Sequence, residues 1–232
     1  MLFRSDKVIW RFDPLIMTDK ITVEGLLDKI LKVGNQISDY TNKLVISFAD
    51  ISTYRKVQKN LQQHNINYKE FTPETMEALA KGLNEINKNW GLDIATCSED
   101  IDLSPYNIKK NKCIDDDLMV KVFSQDKELM RFLGYDYCNE NLQFEEITLF
   151  DLVDSKNKPN FERDRDNNFD KSKKLKDKGQ RESCGCIVSK DIGQYDTCNN
   201  QCIYCYANSS PRIANSNYLE YLKTEKNGES IV

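Results

Sequence analysis

The sequence predicts a parallel α/β fold with a cysteine-rich segment at its C-terminal end. Short runs of branched and aromatic residues at 8–12, 44–48 and 92–97 are separated by longer stretches of helical periodicity. The order is strand, helix, strand, two helices, strand, the pattern of parallel strands joined by right-handed crossovers. Five of the eight cysteines fall between positions 184 and 205, apart from the strand and helix patterns.

Taken in order, residues 7–13 form the first strand through Val8, Ile9, Trp10 and Phe12, and Pro14 ends it. Arg11 and Asp13 lie near its carboxyl end, as a structural ion pair or as residues facing a ligand, since strand ends line the usual site of a parallel sheet. Thr22 is the N-cap of a helix whose apolar face is Val23, Leu26, Leu27, Ile30, Leu31 and Ile37. Gly25 and Gly34 weaken that helix without breaking its pattern. Residues 43–49 are almost continuously apolar and suit a strand buried on both faces. Asp50 follows, as the cap of a helix over 52–64 or as a site residue, and His64 meets the dipole at that helix's end. Thr72-Pro73-Glu74 opens the next helix, with Met76, Leu79, Ala80, Leu83, Ile86 and Trp90 on one stripe and Gly91 as the stop. The third strand, 92–97, ends at Cys97, and the acidic Glu99, Asp100 and Asp102 come next. A polar loop leads to Cys113. Asp115 and Asp117 start a short helix, and another runs over 127–133 to Gly134. Cys138 reads as an unspecialised thiol, and 144–153 is apolar but ambiguous in type. Beyond the cysteines, 209–215 reads as loop and 218–222 as one helical turn.

Composition narrows the function. A net charge of -4 argues against a generally basic nucleic-acid surface. A local strip remains: residues 171–181 carry six basic residues against one acid, as a solvated linker or as a contact for phosphates. The one histidine, His64, excludes any site within this chain that needs two imidazoles. No apolar run approaches the roughly 20 residues of a membrane span. The first residues lack the basic-then-apolar layout of a secretion signal. A cytoplasmic location is expected, where clustered cysteines bind metal more often than they pair as disulfides.

The sharpest motif is Cys198-x3-Cys202-x2-Cys205. So short a turn can aim three thiolates at one centre. Zinc takes four ligands in a closed structural site, whereas an iron–sulfur cluster takes one thiolate per iron and would keep one iron open for a ligand. Buried thiols are the structural alternative, but Asp196, Asn199, Asn200 and Gln201 are poor neighbours for a core. Cys97, Cys113, Cys184 and Cys186 are a candidate second metal set, enough for a second cluster or a zinc. The chain thus divides into an α/β domain over 1–154, a polar basic linker over 155–183, and a cysteine-rich metal-binding segment over 184–232.

The cysteine motif, with Tyr204 before its last cysteine, resembles that of the radical S-adenosylmethionine enzymes. The run 184–208 more closely resembles DUF1848, a bacterial family of unknown function. The same family is matched by Val8-Ile9-Trp10-Arg11-Phe12-Asp13-Pro14, Val45-Ile46-Ser47-Phe48 with Asp50, Thr96-Cys97-Ser98-Glu99-Asp100-Ile101-Asp102, Lys112-Cys113-Ile114-Asp115 and Gly179-Gln180-Arg181. The resemblance covers nearly the whole chain. It implies a [4Fe-4S] cluster on Cys198, Cys202 and Cys205, with S-adenosylmethionine on the fourth iron and an electron donor as partner. Reductive cleavage of the cofactor then gives a 5'-deoxyadenosyl radical that abstracts hydrogen from a substrate. Arg11, Asp13 and Asp191 are the candidate cofactor contacts, with Tyr204 and Tyr206 beside the cluster. It also implies that 1–154 corresponds to the C-terminal part of a TIM-like barrel whose N-terminal portion is missing here, since three strands do not make the usual eight. In ordinary radical enzymes the motif follows the first barrel strand, whereas here 232 - 205 = 27 residues follow Cys205. The motif must return over the strand ends from the C-terminal side, or the likeness is to the cluster alone. No Gly-Gly-Glu-like segment of the kind that receives the cofactor's amino group is present. The rival expectations are a non-catalytic zinc or iron–sulfur module that binds nucleic acid or a protein, a closed electron-transfer cluster, and an inactive fragment.

Overall fold

A computed structural model describes residues 5–136, 162–163 and 175–223. The readings of Cys138, of 144–153 and of most of the strip 155–174 lie outside the described residues. The main elements are β1 (Ile9–Leu15), β2 (Met17–Thr18), α1 (Val23–Ile37), β3 (Lys43–Phe48), α2 (Arg55–Gln63), β4 (Tyr68–Lys69), α3 (Pro73–Asn87), β5 (Asp93–Thr96) and β6 (Ile108–Lys110). They continue with α4 (Asp116–Phe123), α5 (Lys127–Phe132), β7 (Tyr135–Asp136), β8 (Glu162–Arg163) and α6 (Pro211–Lys223). The chain makes two compact units. The first is 1–111 with 182–184 and 190–232; the second is 112–181 with 185–189.

The first unit is built on a four-stranded sheet in the order β1-β3-β5-β6, every neighbouring pair parallel. Among the described residues the sheet is open, with β1 and β6 at its edges. The parallel α/β class is as the sequence predicts. Central β3 buries Leu44, Val45, Ile46 and Phe48, as a strand covered on both faces must. Edge β1 alternates instead, turning Trp10 and Leu15 inward. Those residues form one core with Leu26 and Ile30 of α1, Leu79 and Leu83 of α3, Ile94 and Ile108. Each such side chain stabilises the fold by about 1.5–3 kcal/mol. A satellite cluster of Ile51, Val57 and Leu61 lies under α2.

Local chemistry fixes the helix ends. Thr22 accepts from the Gly25 N–H, and Thr72 makes a reciprocal capping box with Thr75. The His64 ring Nδ1 lies 2.8 Å from the Asn60 carbonyl at the end of α2.

Several expectations are corrected. Pro14 does not end β1; it sits inside the strand, where the register to β3 shifts between Phe12 and Leu15, and an irregularity tolerates proline. The segment after Asp50 opens with a 3-10 turn over Ile51–Thr53 before α2, and the Asp50 carboxylate accepts from the Ser52 hydroxyl instead of capping the helix. Trp90 lies beyond α3, in the turn that Gly91 closes at φ 67°. The polar loop before Cys113 contains β6, which buries only Ile108 and exposes Lys109 and Lys110. The stretch 211–223 is helical well beyond one turn: Pro211 takes the first position of α6, and the Ser210 hydroxyl accepts from the Ile213 N–H.

In the second unit, α4 is capped by the Asp115 carboxylate and α5 by that of Asp126. Met130, Leu133 and Ile187 form its small buried core.

Candidate metal centre

In a parallel sheet all strands deliver their carboxyl ends to one edge, and polar residues gather there. On that edge of the first unit, the Asp13 carboxylate accepts from the Arg11 guanidinium and from the Ser47 hydroxyl. Arg11 and Asp13 are near the end of β1 and Ser47 is near the end of β3, so neighbouring strands converge on one carboxylate. The Phe48 N–H donates to the Glu99 carboxylate at 3.1 Å, and the Cys97 N–H extends the ladder to the Ile46 carbonyl at 3.0 Å.

The three-cysteine loop is seated beyond the same edge. Ile203, inside the motif, packs against the Ile51–Val57–Leu61 cluster, as do Ile16 and Ala49, which directly follow β1 and β3. The Asn60 side chain of α2 donates to the Ile203 carbonyl at 3.0 Å. The loop is closed on itself as well. Asn208 is buried and donates to the Cys198 carbonyl at 2.6 Å, and its own Oδ1 is buried without a partner. The Asp196 carboxylate accepts from the Ser209 N–H and hydroxyl, which hold it below the usual carboxylate range. The Asp196 carbonyl accepts from Asn217 of α6 at 3.0 Å. Asp196 and Gln201 take left-handed backbone, and the Cys205 N–H donates to the Cys202 carbonyl at 3.0 Å, so the chain reverses tightly between thiols.

Cys198 and Cys202 are exposed, Cys205 is half-buried, and all three are free thiols. Among the described residues, the one trio of acidic, histidine or cysteine ligand atoms lying within 4.8 Å of one another is Asp115, Asp116 and Asp117. The loop's sulfurs are therefore set wider than the roughly 3.8 Å between thiolates on a tetrahedral zinc. One thiolate per iron of a polynuclear cluster uses the wider spread. The donor set fits a three-cysteine cluster whose fourth iron is left without a ligand from the loop.

Tyr204 joins the loop to the strand edge. Burial first, then the Cys202 sulfur, Asp13 and Cys205, push its phenol above the ordinary value. Tyr206 is exposed, its ring 6.2 Å from that of Tyr54. Asp191 is exposed, and its carboxylate accepts from the Gly193 N–H at 2.7 Å, a local turn. Of the second candidate set, half-buried Cys97 and buried Cys184 belong to the first unit, and exposed Cys113 and buried Cys186 to the second. Ser47, Asn60, Asp196, Asn208 and Ser209 were not foreseen as site residues. Only Ser47 had a signal, a hydroxyl near the carboxyl end of an otherwise apolar strand.

The fold and the site define the class: an α/β protein with a three-cysteine loop seated at the carboxyl edge of an open parallel sheet. The chain belongs to the family described as domain of unknown function DUF1848, whose profile matches residues 2–207 and so includes all three cysteines of the motif. No curated protein and no solved structure matches it. No helix among the described residues is long and apolar enough to cross a membrane.

Proposed function

We propose that this protein holds a [4Fe-4S] cluster on Cys198, Cys202 and Cys205 and acts as a radical S-adenosylmethionine enzyme on a substrate still to be found. The observation that carries the reading is the seating of the loop: Ile203 packs with the residues that follow β1 and β3, beside the edge that presents Asp13. A loop with an open iron position is useful only where protein groups can orient what binds there, and the carboxyl edge offers them. The cofactors would supply, when bound, reductive cleavage of a carbon–sulfur bond and hydrogen abstraction from the substrate.

The chain's own residues take three roles in this reading. Asp13, oriented by Arg11 and Ser47, accepts hydrogen bonds from the cofactor's polar groups. Tyr204, between the thiols and Asp13, shields that side from water. Asn208 and Asp196 hold the loop's ends together so that its thiols stay aimed at one centre. The reading places the protein in a reducing cytoplasm with an electron-donor protein as partner.

The test is preparation without oxygen, with iron, sulfide and zinc measured and electron paramagnetic resonance recorded before and after adding S-adenosylmethionine. Iron and sulfide in cluster proportion, with a spectrum that shifts on adding the cofactor, support the proposal. Zinc alone, or a cluster signal indifferent to the cofactor, overturns it.

A further inference from the structure

The second unit holds a thiol arrangement that the three-cysteine loop does not use. Cys186 is buried, with only 6% of its surface exposed. Its Sγ accepts two consecutive backbone N–H groups, from Cys113 at 3.1 Å and from Ile114 at 3.4 Å. A neutral thiol is a weak acceptor. Two amides converging on one sulfur stabilise the thiolate instead. The surrounding backbone fixes this geometry. The Ile187 N–H donates to the Ile114 carbonyl at 3.2 Å, the Asp177 N–H to the Cys186 carbonyl at 3.0 Å, and the Val188 N–H to the Leu175 carbonyl at 2.6 Å. Three segments are thereby stitched together, with Ile187 anchored in the core beside Met130 and Leu133.

A buried thiolate calls for a full positive charge, which amide dipoles do not supply. Lys112 runs close by, its stem 3.1 Å from where a Cβ on Gly185 would stand. Its ammonium is already committed to Asp116 at 2.6 Å and Asp117 at 2.8 Å. Metal-bound thiolates, by contrast, are commonly tuned by hydrogen bonds to the sulfur. Cys113 supplies one of the two N–H donors and carries a second thiol on an exposed residue. We infer that Cys113 and Cys186 are two thiolate ligands of a zinc-type divalent ion, in a site separate from the three-cysteine loop. Each ion bound displaces two thiol protons, and the exposure of Cys113 leaves the remaining coordination positions open to solvent or to further ligands.

The test removes the loop from consideration. A full-length C198A/C202A/C205A variant is titrated with cobalt(II) without oxygen. A near-ultraviolet thiolate-to-cobalt band that zinc abolishes is expected, lost in C186S and at least tenfold weaker in affinity in C113S, each placed on the same background. No such band in the triple variant, or a band unchanged in C186S, overturns the inference. Should C186S fail to fold, C113S decides, because its side chain is exposed: cobalt affinity unchanged by C113S refutes the site. Loss of the [4Fe-4S] proposal leaves this result untouched, since the loop cysteines are absent throughout.

Discussion

Gly34 and Gly25 lie in the same helix and both lower its intrinsic propensity, yet replacing them by alanine should have opposite effects. A Cβ on Gly34 would stand 2.2 Å from Trp90 Cη2 and Cζ2 and 2.9 Å from Cε2, so the indole must move by more than an ångström. Moving it breaks the Trp90 Nε1–Asn35 hydrogen bond of 3.1 Å and the edge-on packing against Trp10 at 5.7 Å between centroids. The hydrogen bond contributes about 1 kcal/mol and the aromatic pair a similar amount. Overpacking adds about 1–3 kcal/mol where the core does not yield. Against these stands about 1 kcal/mol gained by alanine over glycine in a helix. The net expectation for Gly34→Ala is a loss of about 2 kcal/mol. On Gly25 the nearest atom to an added Cβ is the Thr22 hydroxyl at 3.9 Å, so Gly25→Ala should gain about 0.5–1 kcal/mol. Urea unfolding followed by tryptophan emission reads both effects. The chain has two tryptophans, and both belong to this contact, so the emission also reports the packing directly. Stability unchanged or raised in Gly34→Ala, with native emission retained, would refute the close approach of α1 to Trp90.

Other outcomes follow from the site. Cys202→Ala should abolish the loop's cluster, read as loss of iron and sulfide after anaerobic reconstitution; full iron content would sink the ligand assignment. Asp13→Asn should leave iron content intact and weaken the response to S-adenosylmethionine about tenfold, about 1.4 kcal/mol, read by titrating the paramagnetic signal. Ser47→Ala, which removes the hydroxyl that orients Asp13, should give a smaller change in the same direction. Asp196 has a folded-state pKa lowered by Ser209, so its contribution is full above the ordinary aspartate value and disappears as pH falls through the lower folded value. Wild type should therefore lose more stability than Asp196→Asn on acidification from pH about 5 to about 3, measured by urea midpoints; parallel curves would show that the Asp196–Ser209 contact contributes nothing.

Much of this architecture was legible because local and tertiary preferences agree. Thr22 and Thr72 mark helix starts by the hydroxyls that cap them, and Leu44 to Phe48 marks a central strand by the absence of polar residues. Legibility fails where an element is too short to show a period. β6 has three residues, two of them exposed lysines, and it exists because β5 offers it a ladder. α6 was underestimated although Ser210-Pro211 carries a helix-start signal, because the polar residues around Asn215 mask its apolar side. The cysteine motif announced itself, but its setting did not. Asp13 and Ser47 are 34 positions apart and meet only through the parallel register of β1 and β3. Asn60 reaches Ile203 across 143 positions, and no spacing in the chain encodes that contact.

The first unit is assembled from pieces of chain far apart in time of synthesis. Its sheet is complete by Lys110, whereas the motif cysteines leave the ribosome about 90 residues later. At cellular elongation rates that interval is about 5–20 s. The strand edge therefore exists as a finished platform before any thiol of the loop can reach it. The last events of maturation are the docking of Ile203 on that platform and the closing of Asn208 onto Cys198. Delivery of metal to this loop is consequently a step taken on an already folded scaffold, under the control of whatever delivers it.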